Sequence, residues 1–281
     1  MNTAGVHTVG AGSGGAEHRA VSPAGARGDR GARPRFVDAV AFEWIKARSI
    51  RSTWWTLAAA ACITVGIGVL GGHQARPSDD TGNVMGNILV GISLGQVAVC
   101  LFGVLTATSE YGTGSIRSTF TAVPDRLRLL AAKALVVLTV SLVAGMAIVF
   151  ATFAAGTLAL EPGVEVPSLS DGAVLRALVG GGCYLALLGV FALALGLVLR
   201  ASAGGITAAV SITFILPTVF QMLGRNGEPL RKWWPTDAGQ QILRVTPSST
   251  DLAPVPGLGY FVAATVVAFV FAMALTRRRD A

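Results

Sequence analysis

Six long apolar runs are the feature of this sequence that most limits its fold. A hydrocarbon core of about 30 Å requires roughly 20 residues of helix, and each run is close to that length. The runs are continuous rather than alternating, which excludes the strands of a membrane barrel. We therefore predict an all-α integral membrane protein with six transmembrane helices, at residues 54–70, 86–107, 131–158, 174–199, 206–223 and 257–276.

The charge content supports a membrane location and argues against nucleic acid. Only 13% of the residues are charged and 52% are hydrophobic, whereas a soluble domain carries about 25% charge. The net charge of +7 is compatible with nucleic-acid binding only if the basic residues form one solvated face. Here they lie at the borders of the apolar runs. The predicted environment is the lipid bilayer, with no nucleic-acid partner.

The basic residues also predict the orientation. If the N-terminus is inside, 16 of the 22 lysines and arginines fall on the inner side of the six spans and six on the outer side. The positive-inside rule therefore places both termini in the cytoplasm. Residues 224–256 are the exception, because this outer loop carries four basic residues.

Two segments precede the first span. Residues 1–34 are rich in Gly, Ala and Arg and bury too little apolar surface to fold, so we expect a disordered cytoplasmic tail followed by a six-span domain over 35–281. In residues 36–53, Val37, Val40, Ala41 and Trp44 recur at helical spacing. This pattern predicts an amphipathic helix at the membrane interface.

The sequence contains no candidate for catalysis or for ATP binding. A P-loop requires a glycine directly before its lysine, but Lys46, Lys133 and Lys232 follow Ile45, Ala132 and Arg231. No His, Cys or carboxylate cluster predicts a metal or other cofactor in this chain. The middles of the six spans also lack ionisable residues, which a proton-coupled carrier usually keeps there. We therefore predict a transport protein that is not itself an enzyme and is driven from outside the chain.

A few polar residues lie within the spans. Gln96, Ser211 and Gln221 are candidates for lining a substrate path. The alternative, which we favour for the glutamines, is hydrogen bonding between helices or capping of a free carbonyl. Pro217 supplies such a carbonyl, since a proline in a helix removes one donor and a neighbouring helix must satisfy the group left over.

The loop between the second and third spans, residues 108–133, has the form of a partner-binding element. Gly112 and Gly114 break the helix after Glu110, and a short amphipathic segment around Arg117 follows until Pro124. We expect Glu110 and Arg117 to form an ion pair that stiffens this segment. The alternative is an ordinary positively charged inner loop.

Four stretches resemble a known family. FEWIKARSIRSTWW, EYGTGSIRSTFTAVPDRLRLLAAK, WWPTDAGQQI and the terminal RRRDA are similar to the membrane subunit of type 2 ABC exporters, over residues 36–281. The most specific part is a Glu-Tyr-x-x-Gly-x-Ile-Arg core with a downstream Pro and Ala-Ala-Lys. Asp125 stands where the family usually has a basic residue after the proline.

The resemblance implies a six-span permease in the plasma membrane of a bacterium. It would dimerise with a second copy or a paralogue and dock a separate ABC ATPase, which binds the ATP, on the cytoplasmic side. The implied interface with the ATPase lies in the N-terminal helix and the loop, at Glu43, Lys46, Glu110, Tyr111, Gly114, Arg117, Pro124, Arg126 and Arg128. The alternatives are an ATP-independent secondary carrier and a membrane immunity or anchor protein.

Overall fold

The computed structural model describes residues 35–49, 51–112, 126–247 and 251–279, and all regular structure in these residues is helical. The expected tail at residues 1–34 lies outside this part of the chain. The helices, in chain order, are α1 (Phe36–Ser49), α2 (Arg51–Gln74), α3 (Thr81–Leu89), α4 (Ile92–Gly112), α5 (Arg126–Leu158), α6 (Gly172–Leu199), α7 (Ser202–Val210), α8 (Leu216–Met222), α9 (Glu228–Lys232), α10 (Pro235–Gln240) and α11 (Pro254–Arg279).

Six of these helical segments are long and apolar enough to cross a membrane, as the sequence predicts. Five of them begin and end within about four residues of the predicted bounds, and the second is the exception. The fifth span consists of α7, a π-helical turn (Ser211–Ile215) and α8.

The predicted second span, residues 86–107, is wrong at its start. The chain forms the separate helix α3, turns at Val90 and Gly91, and only then begins the spanning helix α4 at Ile92. A side chain at Gly91 would overlap the carbonyl oxygen of Thr64 in α2. The break therefore lets two backbones approach closely, which a count of apolar residues does not reveal.

Helix α6 lies at the centre of the bundle. Within its most apolar stretch 72% of the residues are buried, against 17% in α11. It packs on α4, α5 and α11, and Phe261 holds α11 against it through ring contacts with Tyr184 and Phe191. The outer helices keep large apolar faces exposed, as expected for a protein solvated by lipid.

The glycines of α6 account for its central position. Gly182 meets Met146, Gly189 meets Ser141, and Gly196 meets Ala107, each so closely that a Cβ would require the neighbour to move. These three glycines therefore serve close packing within the chain. Gly66 in α2 differs, because a Cβ there would meet nothing within 4 Å.

The bundle has two ends of different character. The α1 end contains α1, the end of α4, the start of α5 and the 200–201 link. The far end contains residues 75–80, 159–171 and the described part of 223–253. The second end holds α9, α10 and two short 3₁₀ turns, so it has considerably more folded structure between its spans.

Candidate transport cavity and charged clusters

The break in the fifth span creates the first polar site. Pro217 lacks an N–H, and the carbonyl of Thr213, four residues earlier, accepts a hydrogen bond from Gln96 Nε2 at 3.3 Å. The carbonyl of Ile212 accepts from Trp234 Nε1 at 2.7 Å and from Thr236 Oγ1 at 3.2 Å. The free carbonyls predicted from the proline are thus satisfied by neighbouring elements.

Gln96 is the centre of this network. Its Oε1 accepts hydrogen bonds from Tyr184 Oη and from Gln240 Nε2, both at 2.8 Å, while its Nε2 donates to the carbonyl oxygen of Thr213. The residue is 1% exposed. One amide therefore joins α4, α6, the π-helical turn and α10, which confirms the favoured structural role for Gln96.

A polar cavity of about 700 Å³ lies beside this network, towards the far end. Its walls are α3 with the start of α4, the π-helical turn with α8, and the segment from α9 to residue 247. Volumes of 300–1,000 Å³ are typical of ligand pockets. The cavity lies within one chain and is a space that a small polar ligand could occupy.

The candidate path residues are placed differently by the structure. Gln96 and Gln221 both line the cavity, Gln96 at its buried wall and Gln221 on the exposed part of α8. Ser211 begins the π-helical turn and is not among the lining residues. A role for the three in transport stays a prediction.

A charged cluster closes one side of the cavity. Asp251, which is 4% exposed, accepts from Arg231 Nη2 at 2.9 Å and from Arg244 Nη1 at 3.1 Å. Asp237 Oδ2 lies 3.6 Å from Arg231 Nε. Burial raises the pKa of Asp237 from 3.8 to about 6, although Arg231 acts in the opposite direction. Two of the four basic residues of this loop are thus neutralised by carboxylates.

The α1 end contains a second ionic contact, which is more deeply buried. Lys133 Nζ of α5 lies 3.0 Å from Glu43 Oε2 of α1, and both side chains are only 2% exposed. The same ammonium group donates to the carbonyl of Thr106 in α4 at 3.4 Å. The contact therefore ties α1 to the two helices that flank the 108–133 loop. Sequence reasoning missed this pair, because 90 residues separate its members.

The amphipathic face of α1 also differs from expectation. The residues that α1 buries against the protein are Ala39 and Glu43, while Val37 and Trp44 from the predicted apolar stripe are exposed. The carboxylate of Glu43 consequently points into the bundle. Any contribution of Glu43 to a partner interface is indirect, through the position of α1.

The other residues of the implied interface are only partly described. Lys46 is half-buried on α1 and Arg128 is exposed on α5. Glu110 and Tyr111 belong to the last turn of α4 and Arg126 begins α5, but only their backbones are described. Gly114, Arg117 and Pro124 lie outside the described residues. The Glu110–Arg117 ion pair therefore stays a prediction.

The comparison with protein families identifies the chain. No curated protein sequence matches it. The family model described as ABC-2 family transporter protein matches residues 39–218, which is more than half of the chain and includes most of α1, the buried ion pair, the 108–133 loop and most of the interrupted fifth span. This multi-pass membrane protein therefore belongs to the ABC-2 transporter family, as a type 2 ABC permease subunit.

Proposed function

We propose that this chain is the permease subunit of an ATP-driven exporter in a bacterial plasma membrane. The family match supports an ABC transporter system whose ATPase is a separate subunit, and the chain has no P-loop of its own. In this proposal both termini face the cytoplasm and a second permease, identical or paralogous, completes the transporter. The substrate path passes between the membrane-spanning helices.

The observation that carries the coupling role is the buried contact between Glu43 and Lys133. It fixes α1 against α4 and α5, the helices from which the 108–133 loop emerges. Force applied by an ATPase to α1 or to the loop would reach both helices together, because a buried ion pair is costly to separate. Lys46, Arg128 and the loop residues would supply the docking surface.

The proposed orientation rests on the count of basic residues, 16 on the inner side of the six spans against six on the outer side. Arg231 and Arg244 of the outer loop over residues 224–256 share Asp251, so this loop carries less free positive charge than its sequence suggests.

Co-purification tests the partner directly. The chain would be extracted in detergent from native membranes, and the co-purifying proteins identified by mass spectrometry and assayed for ATP hydrolysis. We expect a P-loop ATPase in stoichiometric amount, lost or strongly reduced with Glu110→Ala or Arg117→Ala. Arg225→Ala and Lys232→Ala are matched controls, since they remove charge at the far end and should retain the ATPase.

The opposite results would favour other functions. A chain that purifies alone and moves solute across liposomes without ATP would be a secondary carrier. A chain that purifies alone and tolerates apolar replacements at both Gln96 and Gln221 without loss of function in cells would be an immunity or anchor protein.

A further inference from the structure

The cavity at the far end contains hydrogen-bonding groups that the fold does not use. Among the described residues, the side chains of Asn83, Asn87, Ser93 and Gln221 line the cavity and make no hydrogen bond to one another or to other described residues. Each of them carries both a donor and an acceptor. By contrast, the amide of Gln96 is already bonded through both its oxygen and its nitrogen.

These groups lie on different walls of the cavity. Asn83 and Asn87 are four residues apart on α3 and so share one helix face, whereas Gln221 is on α8. A molecule in the cavity can therefore be bonded from both sides at once. Phe214 and Pro217 add apolar surface on the wall that carries Gln221.

The charged groups of the cavity already have partners within the chain. Arg231 and Arg244 are paired with Asp251, and Asp237 lies beside Arg231. Asp80 caps the N-terminus of α3 by accepting from the backbone N–H of Asn83 at 2.8 Å, where a negative charge is favourable. A charged ligand would lose its hydration; an anion would find both arginines already shared with carboxylates, and a cation would have to compete with Arg231 for Asp237 or with the helix N-terminus for Asp80.

We propose that this cavity binds an uncharged group of the transported molecule, one that carries several hydrogen-bond donors and acceptors such as sugar hydroxyls or amides. As a substrate assignment it rests on the proposed transport function, whereas the binding itself needs only this chain. Asn83, Asn87, Ser93 and Gln221 are the residues that recognise the group.

Gly86 offers a way to fill the cavity without disturbing the fold. It lines the cavity, and a Cβ built on it meets nothing within 4 Å. Gly86→Met therefore places a flexible side chain in the ligand's space. Gly259→Met is the matched control, because Gly259 is also a helical glycine with nothing within 4 Å but does not line the cavity.

The experiment uses the full chain in nanodiscs and four amphiphiles that share a twelve-carbon chain. Their head groups are maltoside, glycinamide N-acylated by that chain so that no basic amine remains, trimethylammonium and sulfate, and bound molecules are counted by native mass spectrometry. We expect at least one uncharged head group to be retained about tenfold better than both charged ones, a difference of about 1.4 kcal/mol. Retention of the maltoside alone indicates hydroxyl recognition, and retention of the glycinamide alone indicates amide recognition.

The variants connect that preference to the cavity. Gly86→Met should abolish the preferential retention and Gly259→Met should preserve it. If Gly86→Met does not fold, the double variant Asn83→Leu/Gln221→Leu replaces it, since both side chains are exposed and unbonded to other described residues. Equal retention of all four head groups, a preference for a charged one, or a preference that survives these variants would overturn the proposal.

The outcome is separable from the proposed function. The binding measurement uses neither ATP nor the ATPase, so its failure would leave the permease role standing. Conversely, a chain that captures no ATPase but binds the uncharged head groups would retain the cavity assignment and lose the ATP-driven one.

Discussion

The two ends of the bundle use the same interaction for different purposes. At the α1 end, Glu43 and Lys133 form a buried pair with the carbonyl of Thr106 as a further acceptor. At the far end, Asp251 and Asp237 share two arginines beside a cavity of about 700 Å³. The first contact fixes three helices against one another. The second leaves Asp237, whose pKa is raised, next to a space that a ligand can enter. The role of each ion pair therefore depends on its surroundings.

The largest expected effect comes from breaking the buried ion pair between Glu43 and Lys133. Glu43→Gln leaves the ammonium group of Lys133 buried without its carboxylate, which should cost about 3–5 kcal/mol of folding stability. Thermal unfolding of the purified chain in detergent measures the loss. Arg48→Gln is the control, because Arg48 is an exposed charge on the same helix.

The double variant Glu43→Gln/Lys133→Met sharpens that result. Removing both charges should restore most of the stability, since an uncharged contact of similar volume leaves no unpaired ion. If the double variant is as unstable as Glu43→Gln alone, the loss arises from packing and the ionic interpretation is wrong. If the double variant regains its stability but no longer couples to the ATPase, the ion pair acts in transmitting force from the ATPase to the helices.

A smaller effect should follow from removing the uncharged network at the far end. Gln96→Leu removes three hydrogen bonds, those from Tyr184 and Gln240 and the one to the Thr213 carbonyl, and hydrogen bonds of this kind in membranes contribute about 0.6 kcal/mol each. We expect a loss of about 2 kcal/mol in the same thermal assay. Gln221→Leu, at an exposed amide without a hydrogen bond to the described residues, should change stability by less than about 0.5 kcal/mol.

Asp237 gives the far end a contribution to folding stability that depends on pH. Its folded pKa of about 6 lies above the ordinary 3.8, so the folded state keeps a proton that the unfolded state has released. Ionisation therefore destabilises the folded state as the pH rises from about 4 to about 6. Asp237→Asn should be more stable than the wild type by about 3 kcal/mol above pH 7 and equally stable near pH 4. A difference that does not change with pH would contradict the assignment.

The smallest expected effect concerns the exposed side of the far cluster. Arg244 is 44% exposed although its partner Asp251 is buried. Because solvent and salt screen such a contact, Arg244→Gln should cost about 1 kcal/mol or less. Comparison of melting temperatures at low and high salt measures this, and a loss as large as that of Glu43→Gln would show that the two ends do not differ in the way described.

The sequence predicted the spans better than it predicted their connections. Continuous apolar runs locate a spanning helix, because the hydrocarbon core favours apolar side chains on a backbone whose polar groups are bonded within the helix. Pro217 correctly predicted carbonyls that need hydrogen-bond donors from other elements. The start of the second span was misplaced because residues 86–91 are nearly as apolar as a span, and the sequence does not show that α2 approaches the turn at Gly91 too closely for a side chain.

The candidate site was predictable only in part. The glutamines at 96 and 221 stand out in the sequence as polar residues within apolar runs, and both line the cavity. Asn83, Asn87 and the Asp251 cluster did not stand out, since polar residues near loops are ordinary.

By itself the sequence determined the membrane location, the number of spans and the lack of a P-loop, because these depend on local composition and on residues next to one another. Only the tertiary structure decided that Gln96 meets Thr213, 117 residues away, and that Glu43 turns inward to Lys133. Such contacts depend on which helix faces pack together, and in a bundle where nearly every face is apolar the sequence pattern leaves that choice open.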